Sequence, residues 1–130
     1  MQIGMLSRRT GVHIETIRFY ERSGILPKAN RAGNGRRVYG HEDVRRVAFI
    51  RHARELGFGL DSIRLLLTMQ QHPETSCERA SLLAADQLAK VEARIAKLMK
   101  LRDELARMAT ACGNGRVTEC RVIEALTLPS

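Results

Sequence analysis

Cys77, Cys112 and Cys120 are the side chains of this 130-residue sequence best suited to chemistry. Thiolates ligate soft metal ions and act as redox nucleophiles. In a reducing compartment, three cysteines at the edges of one helical stretch read as free thiols rather than as a disulfide framework. Cys112 and Cys120 are separated by seven residues, Gly113 to Glu119, short enough for both sulfurs to reach one ion. The glycines of that loop let backbone approach closely. His13, His41, His52 and His72 are scattered; His72 alone lies near a cysteine in sequence, and it reads as a helix-end residue. There are no paired carboxylates beside a histidine and no nucleophile motif, so an enzyme has little support.

The cysteines are positioned by the stretch from Cys77 to Cys112. Pro73 precedes it, and Thr75 with Glu78 reads as a capping box. From Glu78 to Ala111 there is no Gly or Pro, good helix formers dominate, and Gly113 supplies a left-handed stop. Alternating steps of four and three from Cys77 give Ser81, Ala84, Leu88, Val91, Ile95, Leu98, Arg102, Leu105, Ala109 and Cys112, a heptad stripe with one charged interruption at Arg102. At 1.5 Å per residue the helix is roughly 50 Å long, so Cys77 and Cys112 of one chain cannot share a ligand. Two copies paired antiparallel about a two-fold near Arg94 and Ile95 set each Cys77 beside the partner's Cys112. Val91 then faces the partner's Leu98, and Ala84 the partner's Leu105. Two identical cysteine sites per homodimer follow. The competing reading is a solvated amphipathic helix whose cysteines fall on one stripe by chance.

The basic excess belongs to the other half of the chain. Residues 1–60 hold 12 Lys and Arg against 5 Asp and Glu, whereas residues 61–130 hold 10 against 9. That asymmetry is the footprint of a phosphate-binding surface. No signal peptide, transmembrane span, basic amphipathic helix or lipid site appears, so a cytoplasmic location and no membrane partner are expected. Residues 3–10 and 14–23 predict two helices joined by a turn at Gly11, a helix-turn-helix. Ile14 and Ile17 point one way; Glu15, Thr16, Arg18 and Arg22 point the other. Residues 28–40 predict a basic hairpin turning at Asn34-Gly35, with Arg36 and Arg37 suited to phosphates. Helices at 42–56 (Val44, Val47, Ala48 and Phe49 inward) and 60–71 follow, and a short one at Val122 to Leu126 ends the chain. The expected architecture is mainly α. A winged helix-turn-helix DNA-binding domain with its connecting helix pair (1–72) leads to a long antiparallel coiled-coil dimerisation helix (73–111) and a metal-binding loop with a C-terminal short helix (112–130).

Thr16-Ile17-Arg18-Phe19-Tyr20-Glu21, then Gly24-Ile25-Leu26-Pro27 and Arg37-Val38-Tyr39, closely resemble the MerR family of transcriptional regulators, and the likeness covers essentially the whole chain. The resemblance implies a homodimer on double-stranded promoter DNA whose −35 and −10 elements are too far apart. The ligand-bound dimer distorts the spacer so that RNA polymerase meets correctly phased elements. Carried over residue by residue, it makes Thr16, Arg18 and Tyr20 DNA contacts from the second helix, with Arg36, Arg37 and Tyr39 from the wing. Tyr20 lies three residues beyond Ile17, a spacing that equally fits the core.

In the metal-sensing branch of that family, a Cys at the start of the dimer helix joins two Cys flanking the following loop of the partner chain. Cys77, Cys112 and Cys120 stand in those places. The family's copper(I) sensors carry Ser where this chain has Cys77. Three thiolates give a site charge of −1 with a divalent ion but −2 with a monovalent one, and buried surplus charge is costly. Zn(II) prefers four ligands. The zinc sensors that resemble this chain use an adjacent Cys pair and a loop His, where this chain has Ala111 before Cys112 and no His beyond His72. A soft divalent ion is therefore favoured, Hg(II) first, then Pb(II) or Cd(II), with Zn(II) behind. Ser76-Cys77-Glu78-Arg79-Ala80-Ser81-Leu82 looks like the mercury regulators, although the loop is one residue shorter and Arg121 replaces their usual Pro. The alternatives are a Cu(I)-responsive regulator using Cys112 and Cys120, and a thiol redox sensor without metal.

Overall fold

The computed structural model describes residues 1–111, 116 and 120–127, and the chain divides into two compact units, Met1–Ala84 and Ala85–Ser130. In the first unit α1 (Ile3–Thr10) and α2 (Ile14–Arg22) lead to an antiparallel hairpin, β1 (Asn30–Arg31) with β2 (Arg37–Val38). Then come α3 (His41–Glu55) and α4 (Leu60–Gln70). α5 (Glu78–Ala111) begins in the first unit and runs on through the second, where α6 (Arg121–Thr127) follows. The architecture is mainly α, a winged helix-turn-helix and a long helix, as the sequence predicts.

The turn between α1 and α2 is built on Gly11, whose φ of 72° is the left-handed conformation that closes a helix. Its N–H donates to the Ser7 carbonyl at 2.8 Å. Arg51 of α3 donates to the Thr10 carbonyl at 2.6 Å, and a Cβ at Gly11 would collide with that guanidinium. The left-handed backbone favours glycine here, and a side chain would displace the Arg51 guanidinium from its bond to Thr10. α1 packs on α2 and α3, and α3 on α4. Leu6, Ile17, Leu26, Val47, Ile50 and Ile63 are wholly buried between them.

Three details differ from expectation, and a fourth expectation falls outside the described residues. The hairpin does not turn on a two-residue Asn34-Gly35 pair, because that turn needs a positive φ at both residues. Only Gly35 has one, at 81°. Gly35 N–H donates to the Ala32 carbonyl and Ala32 N–H to the Arg36 carbonyl, so the loop is Gly33-Asn34-Gly35. The cap of α5 is Ser76, whose Oγ accepts the Glu78 N–H at 3.1 Å, while the Thr75 hydroxyl donates back to the His72 carbonyl. On α3 the row Val47, Ile50 and Ala53 is buried, and Ala48, one position off that row, is exposed. Cys112, expected to end the long helix, lies outside the described residues.

Truncating Ile17, which is 0% exposed at the centre of the first unit, leaves a cavity enclosed by three helices. Ile17→Ala is expected to lower the unfolding free energy by about 2–5 kcal/mol in urea denaturation. A loss below about 1 kcal/mol would contradict the packing described.

Candidate functional site

α2 and the hairpin enclose a cleft of about 680 Å³ lined by Arg18, Arg22, Lys28, Arg31, Arg36 and Arg37, with Glu21 as the lone carboxylate. Six cations against one anion in a concave surface focus a positive field on whatever enters. Their engagements differ. Arg18 pairs with Glu15 at 2.9 Å, both exposed. Such a pair is worth only about 0.3–0.5 kcal/mol, so the guanidinium is easily released to a base edge or phosphate. Arg31 donates to the Gly35 carbonyl at 2.8 Å, which braces the hairpin loop. Arg37 faces Glu21 at 3.6 Å. Arg22, Lys28 and Arg36 make no side-chain hydrogen bond or ion pair among the described residues.

The floor of the cleft is held by Glu21, 5% exposed. Its Oε1 accepts the Tyr39 hydroxyl at 2.7 Å, and its Oε2 accepts the Ala29 N–H at 3.3 Å with Arg37 beyond. A buried carboxylate is costly unless it is hydrogen-bonded and paired; here Tyr39 and Ala29 supply the hydrogen bonds and the Arg37 guanidinium the opposite charge.

Of the sequence-derived contacts, Thr16 is half-buried, and Arg18, Arg36 and Arg37 are exposed. The structure withdraws two others from the surface. Tyr20 is 6% and Tyr39 3% exposed, both within the core cluster. Tyr20 follows Ile17 on the inner face of α2, the alternative that its spacing left open. Tyr39 turns inward because its hydroxyl finds a buried acceptor in Glu21. Sequence reasoning placed Arg22 on the outward face of α2 without naming it a DNA contact, and did not single out Lys28, Arg31 or Glu21. Arg22 is four residues beyond Arg18 on the same face, and Glu21 is four beyond Ile17 on the buried one. A carboxylate on an apolar stripe was the available signal.

Cys77 immediately precedes α5 in the first unit; its carbonyl accepts the Ser81 N–H at 3.0 Å and its thiol is exposed and free. Cys120, half-buried and not in a disulfide, immediately precedes α6 in the second unit. The third proposed ligand, Cys112, lies outside the described residues. His72 Nδ1 sits 3.7 Å from Glu74 at the exposed end of α4. Among the described residues no three His, Cys, Asp or Glu side chains gather as a metal site. No described helix is long and apolar enough to cross a membrane. Along α5, Leu82, Leu88, Val91, Ile95, Leu98, Leu101 and Leu105 are all 36% or more exposed.

The MerR HTH family regulatory protein model matches residues 1–70, and the model described as MerR, DNA binding matches residues 44–108. The chain is 39% identical over 128 residues to the HTH-type transcriptional regulator ZntR of Escherichia coli (strain K12), covering 96% of this chain and 91% of that protein. It is also 39% identical over 112 residues to the mercuric resistance operon regulatory protein of Serratia marcescens, covering 86% and 76%. Among solved structures, the transcription regulator PbrR691 from Ralstonia metallidurans CH34 in complex with lead(II) superposes with a TM-score of 0.81 at 31% identity, covering 98% and 99%.

Tyr39 gives this site a measurable signature. Burial, then the hydrogen bond to Glu21 and its charge, push the phenol up to about 12. An unfolded tyrosine ionises near about pH 10, so the folded chain keeps a proton that the unfolded chain gives up. That stability is whole below about pH 10 and is lost as pH rises from there through the folded value. Absorbance titration should show one phenol ionising late, and Tyr39→Phe should remove both the late component and that part of the alkaline stability loss. A titration without a late component would contradict the hydrogen bond.

Proposed function

This chain belongs to the MerR family of HTH regulatory proteins, and from that premise we propose that it is a metal-responsive transcriptional regulator binding promoter DNA as a homodimer. The observation that carries the DNA part is the cation-lined cleft between α2 and the hairpin. Arg18, with Thr16 beside it, offers base-edge readout, while Arg36 and Arg37, joined by Arg22, Lys28 and Arg31, position the duplex through phosphates. Tyr20 and Tyr39 act from within, by holding α2 and the hairpin in register. Distorting a promoter spacer costs of order 1–6 kcal/mol, which the phosphate contacts offset. RNA polymerase then engages the rephased elements in the cytoplasm. The relatives are regulators rather than enzymes, which agrees with a chemistry of binding alone.

The effector is proposed to be a soft divalent ion, Hg(II) first and Pb(II) or Cd(II) next, bound by Cys77 of one chain with Cys112 and Cys120 of the other. Support comes from Cys77 and Cys120, neither of which is tied up in a disulfide, and from relatives named for mercuric resistance and solved with lead(II). Cysteine-only donors fit such ions, and a third thiolate balances charge for a divalent ion better than for Cu(I). The uncovered apolar row on α5 supports the homodimer that this sharing needs. Residues 1–72, 73–111 and 112–130 serve in this reading as DNA-binding, dimerising and sensing segments.

Titration of the reduced protein should give two divalent ions per dimer. Cys77→Ser should abolish the transcriptional response to Hg(II), Pb(II) and Cd(II). A retained response would reject three-thiolate ligation, and an equal DNA change on metal-free oxidation would transfer the assignment to a redox sensor.

A further inference from the structure

Building on the DNA-binding reading above, we infer that Glu21 is a positioning residue whose buried carboxylate fixes the hairpin against α2, so that helix and wing meet the duplex as one surface. The hairpin has little of its own to hold it. Its strands are two residues each, and Asn30, Arg31 and Gly33 through Arg37 are exposed. An isolated pair of this size is marginal in water. One side chain of α2 nevertheless reaches both of its legs. Glu21 accepts the N–H of Ala29, just ahead of β1, and the hydroxyl of Tyr39, just after β2, and it faces Arg37 on β2 itself. The same helix carries Arg18 and Arg22 into the cleft, while the hairpin carries Arg31, Arg36 and Arg37. The spacing between the two sets of cations is therefore set through this carboxylate.

The charge matters as well as the shape. A glutamine at this position would still accept one hydrogen bond through its carbonyl, but its amide would turn a donor toward the Ala29 N–H or the Arg37 guanidinium. Glu21→Gln thus loosens one leg of the hairpin without opening a cavity. Tyr39→Phe removes the donor on the other leg.

The test measures binding of the full-length dimer to a random-sequence DNA duplex across a salt series, with helical content and thermal unfolding followed in parallel. Glu21→Gln is expected to weaken binding about ten-fold. It should also flatten the slope of log K against log salt by about 0.9 for each phosphate contact the hairpin loses. Tyr39→Phe should move both quantities in the same direction by less, and Glu55→Gln, on the exposed end of α3, should match the unaltered protein. Wild-type affinity and slope in a folded Glu21→Gln protein would overturn the inference. So would a loss of affinity that tracks the unfolded fraction while the slope stays unchanged, since that is what a merely structural role produces. If Glu21→Gln does not fold, Tyr39→Phe decides on the same two criteria. Salt-independent binding, or none, by the unaltered protein is a different failure: it removes the DNA-binding reading beneath.

Discussion

Among the described residues, the apolar row of α5 is exposed. Leu88, Val91, Ile95, Leu98 and Leu105 follow one heptad stripe, and each is between 36% and 63% exposed. Exposed leucines are ordinary singly, but a row from Leu88 to Leu105, interrupted at Arg102, has the pattern of an interface. Burying each such side chain is worth about 1.5–3 kcal/mol, which makes the row as a whole the largest unspent driving force on the molecule. An identical helix laid antiparallel is the partner whose pattern is guaranteed to match. The proposed function depends on this pairing, which in that reading doubles the DNA-binding unit and sets thiols from opposite chains at each end of the rod.

The first unit solves a separate problem, which is to hold a small hairpin and a short helix in fixed register with few residues. Its apolar core alone does not orient the hairpin, whose loop is solvated. Polar contacts complete the job. Arg51 ties α3 to the turn after α1, Arg64 of α4 donates to the Ser23 carbonyl at the end of α2, and Glu21 gathers the hairpin legs. These bonds reach across elements distant in sequence, unlike the local exposed pairs Arg18–Glu15 and Lys90–Asp86. The second kind contributes little to stability and is free to exchange for phosphate.

Much of the fold was legible because helix patterning is local. The apolar spacing along the helices, the turn at Gly11 and the break at Pro73 placed each helix to within about two residues. What stayed hidden depended on tertiary partners. Ser76 and Thr75 are chemically equivalent as caps, and only backbone geometry selects the first. Asn34-Gly35 is a sound turn pair, yet pairing of Ala32 with Arg36 enlarges the loop by one residue. Tyr39 resembles a surface reader until the buried acid that takes its hydroxyl is seen, and Glu21 itself is one more acid in a basic stretch. The exposed arginines of the site were legible by type, whereas the residues that aim them were not.

Subunit complementation tests the shared-thiol claim most directly. One parent carries Cys77→Ser and the other Cys112→Ser with Cys120→Ser, so neither homodimer can present three sulfurs to one ion. In a mixed dimer an ion shared between chains regains all three ligands at one end. Pb(II) added to purified mixed dimers should restore the near-ultraviolet thiolate-to-lead absorption at one ion per dimer, with neither parent showing it. Mixed dimers without that absorption, or a Cys77→Ser homodimer that shows it, would contradict ligation across the two-fold.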